Sequence, residues 1–92
     1  MIRSFKDRRL KRLHEAGEGS RLQPEHLEKV ENILFALDNA KRIEDVDLPG
    51  FRLHPLKGDL KGFWSVTVRA NWRIVFRFEN GDAFDLELTD YH

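Results

Sequence analysis

The chain contains no cysteine, which excludes disulfide staples and thiolate metal sites and suits a reducing compartment such as the cytoplasm. It also lacks any long apolar run. The opening "MIRSFKDRRLKRL" holds no stretch long enough for the apolar part of a signal sequence, and no segment approaches the ~20 apolar residues of a membrane span. No membrane association is expected. Net charge is missing too, since 16 Lys and Arg balance 16 Asp and Glu. What remains is 92 residues, 40% apolar and 35% charged. A chain of this size buries roughly 60–65% of its unfolded surface, so one domain over residues 1–92 with one core is expected.

The zero net charge hides blocks of alternating sign. Residues 1–14 carry six basic and one acidic side chain (+5), and residues 15–50 carry four and nine (−5). Residues 51–78 again carry six and one (+5), and residues 79–92 none and five (−5). Adjacent blocks can pair across a surface, or the basic ones can present a face to phosphates.

In "SFKDRRLKRLHEAGEG" a helix is expected, with Ser4 as N-cap, Asp7 completing a capping box, and Gly17 and Gly19 ending it. Phe5, Leu10, Leu13 and Ala16 share a face, while Arg8, Arg9, Lys11 and Arg12 make the rest basic. A second helix starts at "QPEHLEKV", with Pro24 at its first position and Glu25 and Glu28 countering the macrodipole. Leu27, Val30, Ile33, Leu34 and Leu37 form its apolar stripe. His14 and His26 have no second ligand at a useful spacing and are expected at the surface.

After "IEDVDLPG" the period changes to two, and strands are expected at 51–54, 63–69, 72–79 and 83–90. A two-residue turn at Ala70 and Asn71 would place Arg73 and Arg77 on the face of Trp64, Val66 and Val68. A three-residue turn over 70–72 instead pairs Val68 with Ile74, Val66 with Phe76 and Trp64 with Phe78, and is preferred. By the same test a loop over 80–82 sets Phe78 opposite Phe84, Phe76 opposite Leu86 and Ile74 opposite Leu88. The other face then carries Ser65, Thr67, Arg69, Arg73, Val75 and Arg77. On it Arg77 faces Asp85, Arg73 faces Thr89, and Arg69 faces Arg73, a like-charged pair that an anion could bridge. "FRLH" sends His54 outward. Strict alternation places Asp90 on the core face, so β pairing is expected to end or bend near Thr89. The expected class is α+β, two N-terminal helices packed on one face of a mostly antiparallel sheet.

The run "FRLHPLKGDLKGFWSVTVRANWRIVFRFENGDAF" and the closing "DYH" resemble the HigB branch of the RelE/ParE toxin superfamily, also called plasmid maintenance killer proteins. The likeness extends from "MIRSF" through "HPLKG", "VRANWRI" and "NGD". It implies a short strand at 2–4, which propensity does not suggest. It also implies a type II toxin that cleaves mRNA on the translating 70S ribosome and is held inactive by a helix-turn-helix, HigA-type antitoxin. The catalytic positions it implies are His54, Asp90, Tyr91 and His92, with Lys57, Arg69 and Arg73 around the phosphate. Cleavage by 2′-hydroxyl attack needs a base, an acid and charge stabilisation, which imidazole, carboxylate and guanidinium supply without a metal. His54, Asp90 and His92 are chemically suited to a metal but lack a fourth protein ligand, so no metal or cofactor is expected. Two alternatives share the basic surface: a ParE-like toxin that binds gyrase without cutting RNA, and a non-catalytic RNA- or protein-binding module.

Overall fold

Asp7, and not Ser4, caps the first helix in the computed structural model, which describes residues 1–90. Its Oδ1 accepts from the Arg9 N–H at 3.0 Å, and helix α1 runs Arg8–Ala16. Gly17, at φ 68°, ends it in the left-handed region that glycine adopts without strain. Ser4 has other work. Its hydroxyl accepts from the Asp85 N–H at 2.9 Å and donates to the Asp85 carboxylate at 3.2 Å, so residues before Asp7 stay extended. Helix α2, Pro24–Asn39, begins at the expected proline and buries Val30, Ile33, Leu34 and Leu37. His26 corrects the sequence reading: it is buried, not superficial, with its ring 5.4 Å from that of Trp72. A 3-10 turn at Ile43–Val46 drops Val46 into the core before the chain reaches the sheet.

The sheet has four antiparallel strands in the order β1 (His54–Pro55), β2 (Phe63–Arg69), β3 (Trp72–Glu79) and β4 (Asp82–Asp90). Only two residues of the expected strand 51–54 and its successor pair as β1. Arg52 sits at φ 52°, which breaks the extended run, though the Phe51 carbonyl still accepts from the Thr67 N–H at 2.7 Å. The segment before α1 forms parallel bridges, Ile2 with Ala83 and Phe5 with Leu86, and so covers the outer edge of β4. That matches the short strand the resemblance implied, as isolated bridges rather than a continuous element.

Both hairpins close more tightly than expected. Arg69 pairs with Trp72 across a two-residue turn, with Ala70 at φ 51°. Val68 is then an extra residue in β2, because Thr67 pairs with Arg73. This bulge restores the parity that a longer loop was expected to supply. The apolar pairs become Val66 with Ile74 and Trp64 with Phe76, displaced by two residues from the expected ones. In the second hairpin Asn80 and Gly81, both at positive φ, make the two-residue turn that suits strand twist. Phe78 therefore faces Ala83, not Phe84. A second bulge, with Asp85 at φ 58°, lets two β4 residues span the place opposite Phe76 and returns the register to Ile74 with Leu88, as expected.

The α+β arrangement is as expected. Both helices lie on the face of the sheet that carries Val66, Ile74, Phe76, Leu86 and Leu88, and one contiguous core joins them. Val75 is buried too but lies outside that core, on the opposite face.

Candidate active site

The opposite face is organised in rows. His54, Ser65, Val75 and Glu87 form one row through β1 to β4, and Thr67, Arg73 and Thr89 form the next. Directly paired residues project to the same side, so His54 and Arg73 share this face. With strands ~4.8 Å apart and a rise of ~3.4 Å per residue, their Cα atoms are about 12 Å apart, within common reach of one phosphate for an imidazole and a guanidinium. His54 is exposed on the shortest, outermost strand. The Leu56 N–H bonds to the Phe63 carbonyl at 2.9 Å, which folds the following loop back and leaves Lys57 exposed at the start of a 3-10 turn, Gly58–Leu60. Arg73 is half-buried, with its Nε covered. Its pairing with Thr89 is as expected.

Arg69 departs from expectation. It pairs with Trp72, whose ring lies against His26 of α2, so it opens toward the helices and does not face Arg73. There it lines a cleft of about 290 Å³ with Gln23, Glu25, His26, Ala70 and Trp72. The bulge at Val68 is the cause, since it turns the last residue of β2 to the other side. The two guanidiniums therefore do not form the facing pair expected from the sequence. Among the described residues neither Arg69 nor Lys57 makes an ion pair, whereas Arg77 is committed to Glu79 at 2.9 Å and Asp85 at 3.8 Å and lies over the Phe84 ring.

β4 does not bend at Thr89. It continues to Asp90, which is exposed and in register with Trp72. Asp90 therefore lies at the sheet's margin on the helix-side parity, one residue beyond the Arg73 partner Thr89. Tyr91 and His92 lie outside the described residues. The end of β4 is fixed by two side chains that the sequence assigns only to the first helix. The Asp7 Oδ2 accepts from the Leu88 N–H at 3.1 Å, and Arg9 Nη2 donates to the Leu88 carbonyl at 3.1 Å. Arg9 also holds both Asp7 oxygens, at 3.0 and 2.7 Å. Burial pushes the Asp7 carboxyl up, but the bonds from Arg9 and Leu88 outweigh it and hold the group below the usual aspartate value. No local motif announces this, because the partner is 81 residues away.

Ser65 was also missed as more than a face residue. It is almost wholly buried in the His54 row. The only signal in the sequence is a serine between large apolar neighbours in "FWSV".

Residues 3–92 match the family described as RelE-like toxin of type II toxin-antitoxin system HigB. The chain is 48% identical to "Endoribonuclease HigB" of Proteus vulgaris over 92 residues, covering all of both chains. It is 34% identical to "Toxin HigB-1" of Vibrio cholerae over 96 residues, covering 99% of this chain and 98% of that one. Among solved structures it resembles a mutant of YafQ from E. coli, with TM-score 0.62 and 18% identity over 98% of this chain and 91% of that one. It also resembles the YoeB-YefM complex from Staphylococcus aureus, with TM-score 0.59 and 15% identity over 100% of this chain and 95% of that one. Those two likenesses show a shared fold. With the family match spanning nearly every residue, the chain belongs to the HigB-like family of RelE-like toxins of type II toxin–antitoxin systems.

Proposed function

We propose that this toxin is a ribosome-dependent endoribonuclease that cuts mRNA by 2′-hydroxyl attack. The observation that carries the reading is the full-length, 48% likeness to a protein named an endoribonuclease. The outer face fits it, because His54 and Arg73 share that face, while Asp90, on the helix-side parity, ends β4 at its margin beside the Arg73 partner Thr89. A base takes the 2′-hydroxyl proton, the 2′-oxygen bonds to phosphorus, and the phosphorus–5′-oxygen bond breaks. An acid protonates the departing 5′-oxygen, leaving a 2′,3′-cyclic phosphate and a 5′-hydroxyl. His54 and His92 can fill the base and acid roles, with Asp90 as base or as the group that orients a histidine. Tyr91 positions the nucleotide. Arg73 and Lys57 stabilise charge developing on the phosphate, and Arg69, on the other side, holds a neighbouring part of the message.

The substrate is mRNA on the translating 70S ribosome, so the working compartment is the cytoplasm. No helix among the described residues is long and apolar enough to cross a membrane. The partner that silences the toxin is a helix-turn-helix, HigA-type antitoxin, as its membership in a toxin–antitoxin family suggests. Residues 1–92 act as one toxin domain.

Primer extension on a defined message, in a translation mixture with and without ribosomes, tests this. Cuts only with ribosomes support the reading. Cuts without them would make the protein a free ribonuclease, and none in either would favour a gyrase-binding or plain binding role.

A further inference from the structure

Ser65 carries an unresolved question. It is 1% exposed, and its hydroxyl has no hydrogen-bond partner among the described residues. A buried polar group left unpaired costs free energy, and alanine would fill the same place without that cost. The surroundings on its face narrow what the hydroxyl is for. Across β3 it meets Val75, which has nothing to offer. The hydroxyl of Thr67, two positions along the same strand, is about 7 Å away by strand geometry. On the other side its directly opposed residue is His54. Opposed side chains in an antiparallel pair have Cβ atoms about 5 Å apart, a separation that an imidazole and a serine hydroxyl can span with one hydrogen bond.

We propose that Ser65 is a positioning residue for His54, its buried hydroxyl bonding one imidazole nitrogen so that the other faces the reacting ribose or leaving oxygen. This rests on the reading of His54 as an acid–base group. A hydroxyl can donate or accept as the tautomer demands, and the bond made on one nitrogen decides what the other presents. Such bonds are often longer in unliganded sites and tighten in the working geometry. The hydroxyl is too deeply buried to touch RNA, so it acts through the histidine.

The test compares the wild type with Ser65→Ala and His54→Ala in ribosome-dependent cleavage, and follows the His54 tautomer in the wild type and Ser65→Ala by 15N chemical shifts. Ser65→Ala is expected to keep or raise the melting temperature and lower kcat about tenfold, with KM unchanged, a fraction of the ~10²–10⁴-fold that a positioned acid or base contributes. Its His54 tautomer ratio shifts. Unchanged kcat, an unchanged tautomer ratio, a KM effect alone, or a lowered melting temperature would each overturn the proposal. A fully active His54→Ala protein would instead remove the acid–base reading of His54 beneath it, an outcome that Ser65→Ala alone cannot produce.

Discussion

The N–H of Leu88 donates to the carboxylate of Asp7 at 3.1 Å, across 81 residues of sequence. Along the outer edge of β4 the backbone of residues 1–6 supplies the partners: the Ala83 N–H bonds to the Met1 carbonyl, and the Lys6 N–H to the Leu86 carbonyl. At Leu88 the backbone ladder gives way to the side chains of Asp7 and Arg9, which satisfy both the N–H and the carbonyl. One carboxylate thus caps α1, pairs with Arg9 and closes the sheet edge two residues before Asp90. Asp7→Ala removes all three at once. It should cost about 2–3 kcal/mol, a helix cap plus a partly buried charge left without its partner, measurable as a fall in the urea midpoint at constant slope. A loss below about 0.5 kcal/mol would mean that Arg9 and Leu88 find other partners.

The same carboxyl sets an acid limit. Because its folded-state value lies below the unfolded one, near 3.8, its stabilisation is complete above about pH 4 and fades as pH falls through the folded value. Glu18, bonded by Ser20, and Asp45, bonded by the Lys41 and Arg42 N–H groups, are lowered as well, but both are fully exposed and contribute little. Unfolding followed from pH 5 to pH 3 should therefore show a steeper loss for the wild type than for Asp7→Asn. Parallel curves would move the acid sensitivity to other groups.

The turns offer a third check. Gly81 sits at φ 82°, and a Cβ there would lie 3.3 Å from the Lys41 carbonyl oxygen. Gly81→Ala should destabilise by about 1–2 kcal/mol, the cost of a side chain in left-handed backbone. Ser4→Ala should also cost about 1 kcal/mol, because the Asp85 bulge loses its hydroxyl partner. If thermal melts show Ser4→Ala to be neutral, the bulge is held by packing alone.

Much of this fold follows from local chemistry. Pro24, Gly17, the apolar stripe of α2 and strands β2 to β4 all lie where spacing and capping rules place them, whereas the strand expected at 51–54 shrinks to β1. The parity of the core face was legible as well, since charges cannot lie under helices. The means of achieving it was not. A longer loop and a tight turn followed by a bulge satisfy the same alternation, and the choice depends on twist and on contacts such as Ser4 with Asp85 that join distant residues. That choice moved Arg69 off the face of Arg73. His26 was misread for a related reason: only the packing of Trp72 against α2 buries it. At the candidate site His54 and Arg73 could be placed from sequence pattern, whereas the Asp7 and Arg9 clamp and the buried Ser65 depend on pairings that no local motif encodes.

The separation of the two arginines gives the sharpest functional contrast. Arg73 shares the outer face with His54, while Arg69 opens into the cleft beside α2. A guanidinium that stabilises charge developing on the phosphate acts mainly in the transition state, so Arg73→Ala should lower kcat by about 10²–10³-fold. On the proposed reading Arg69 holds a neighbouring part of the message, so Arg69→Ala should weaken binding and raise KM by about tenfold while most of kcat survives. Single-turnover cleavage on programmed ribosomes, read by primer extension over a range of toxin concentrations, separates the two effects. Equal losses of kcat in both variants would place both guanidiniums at the scissile phosphate and require the β2–β3 turn to rearrange on the ribosome.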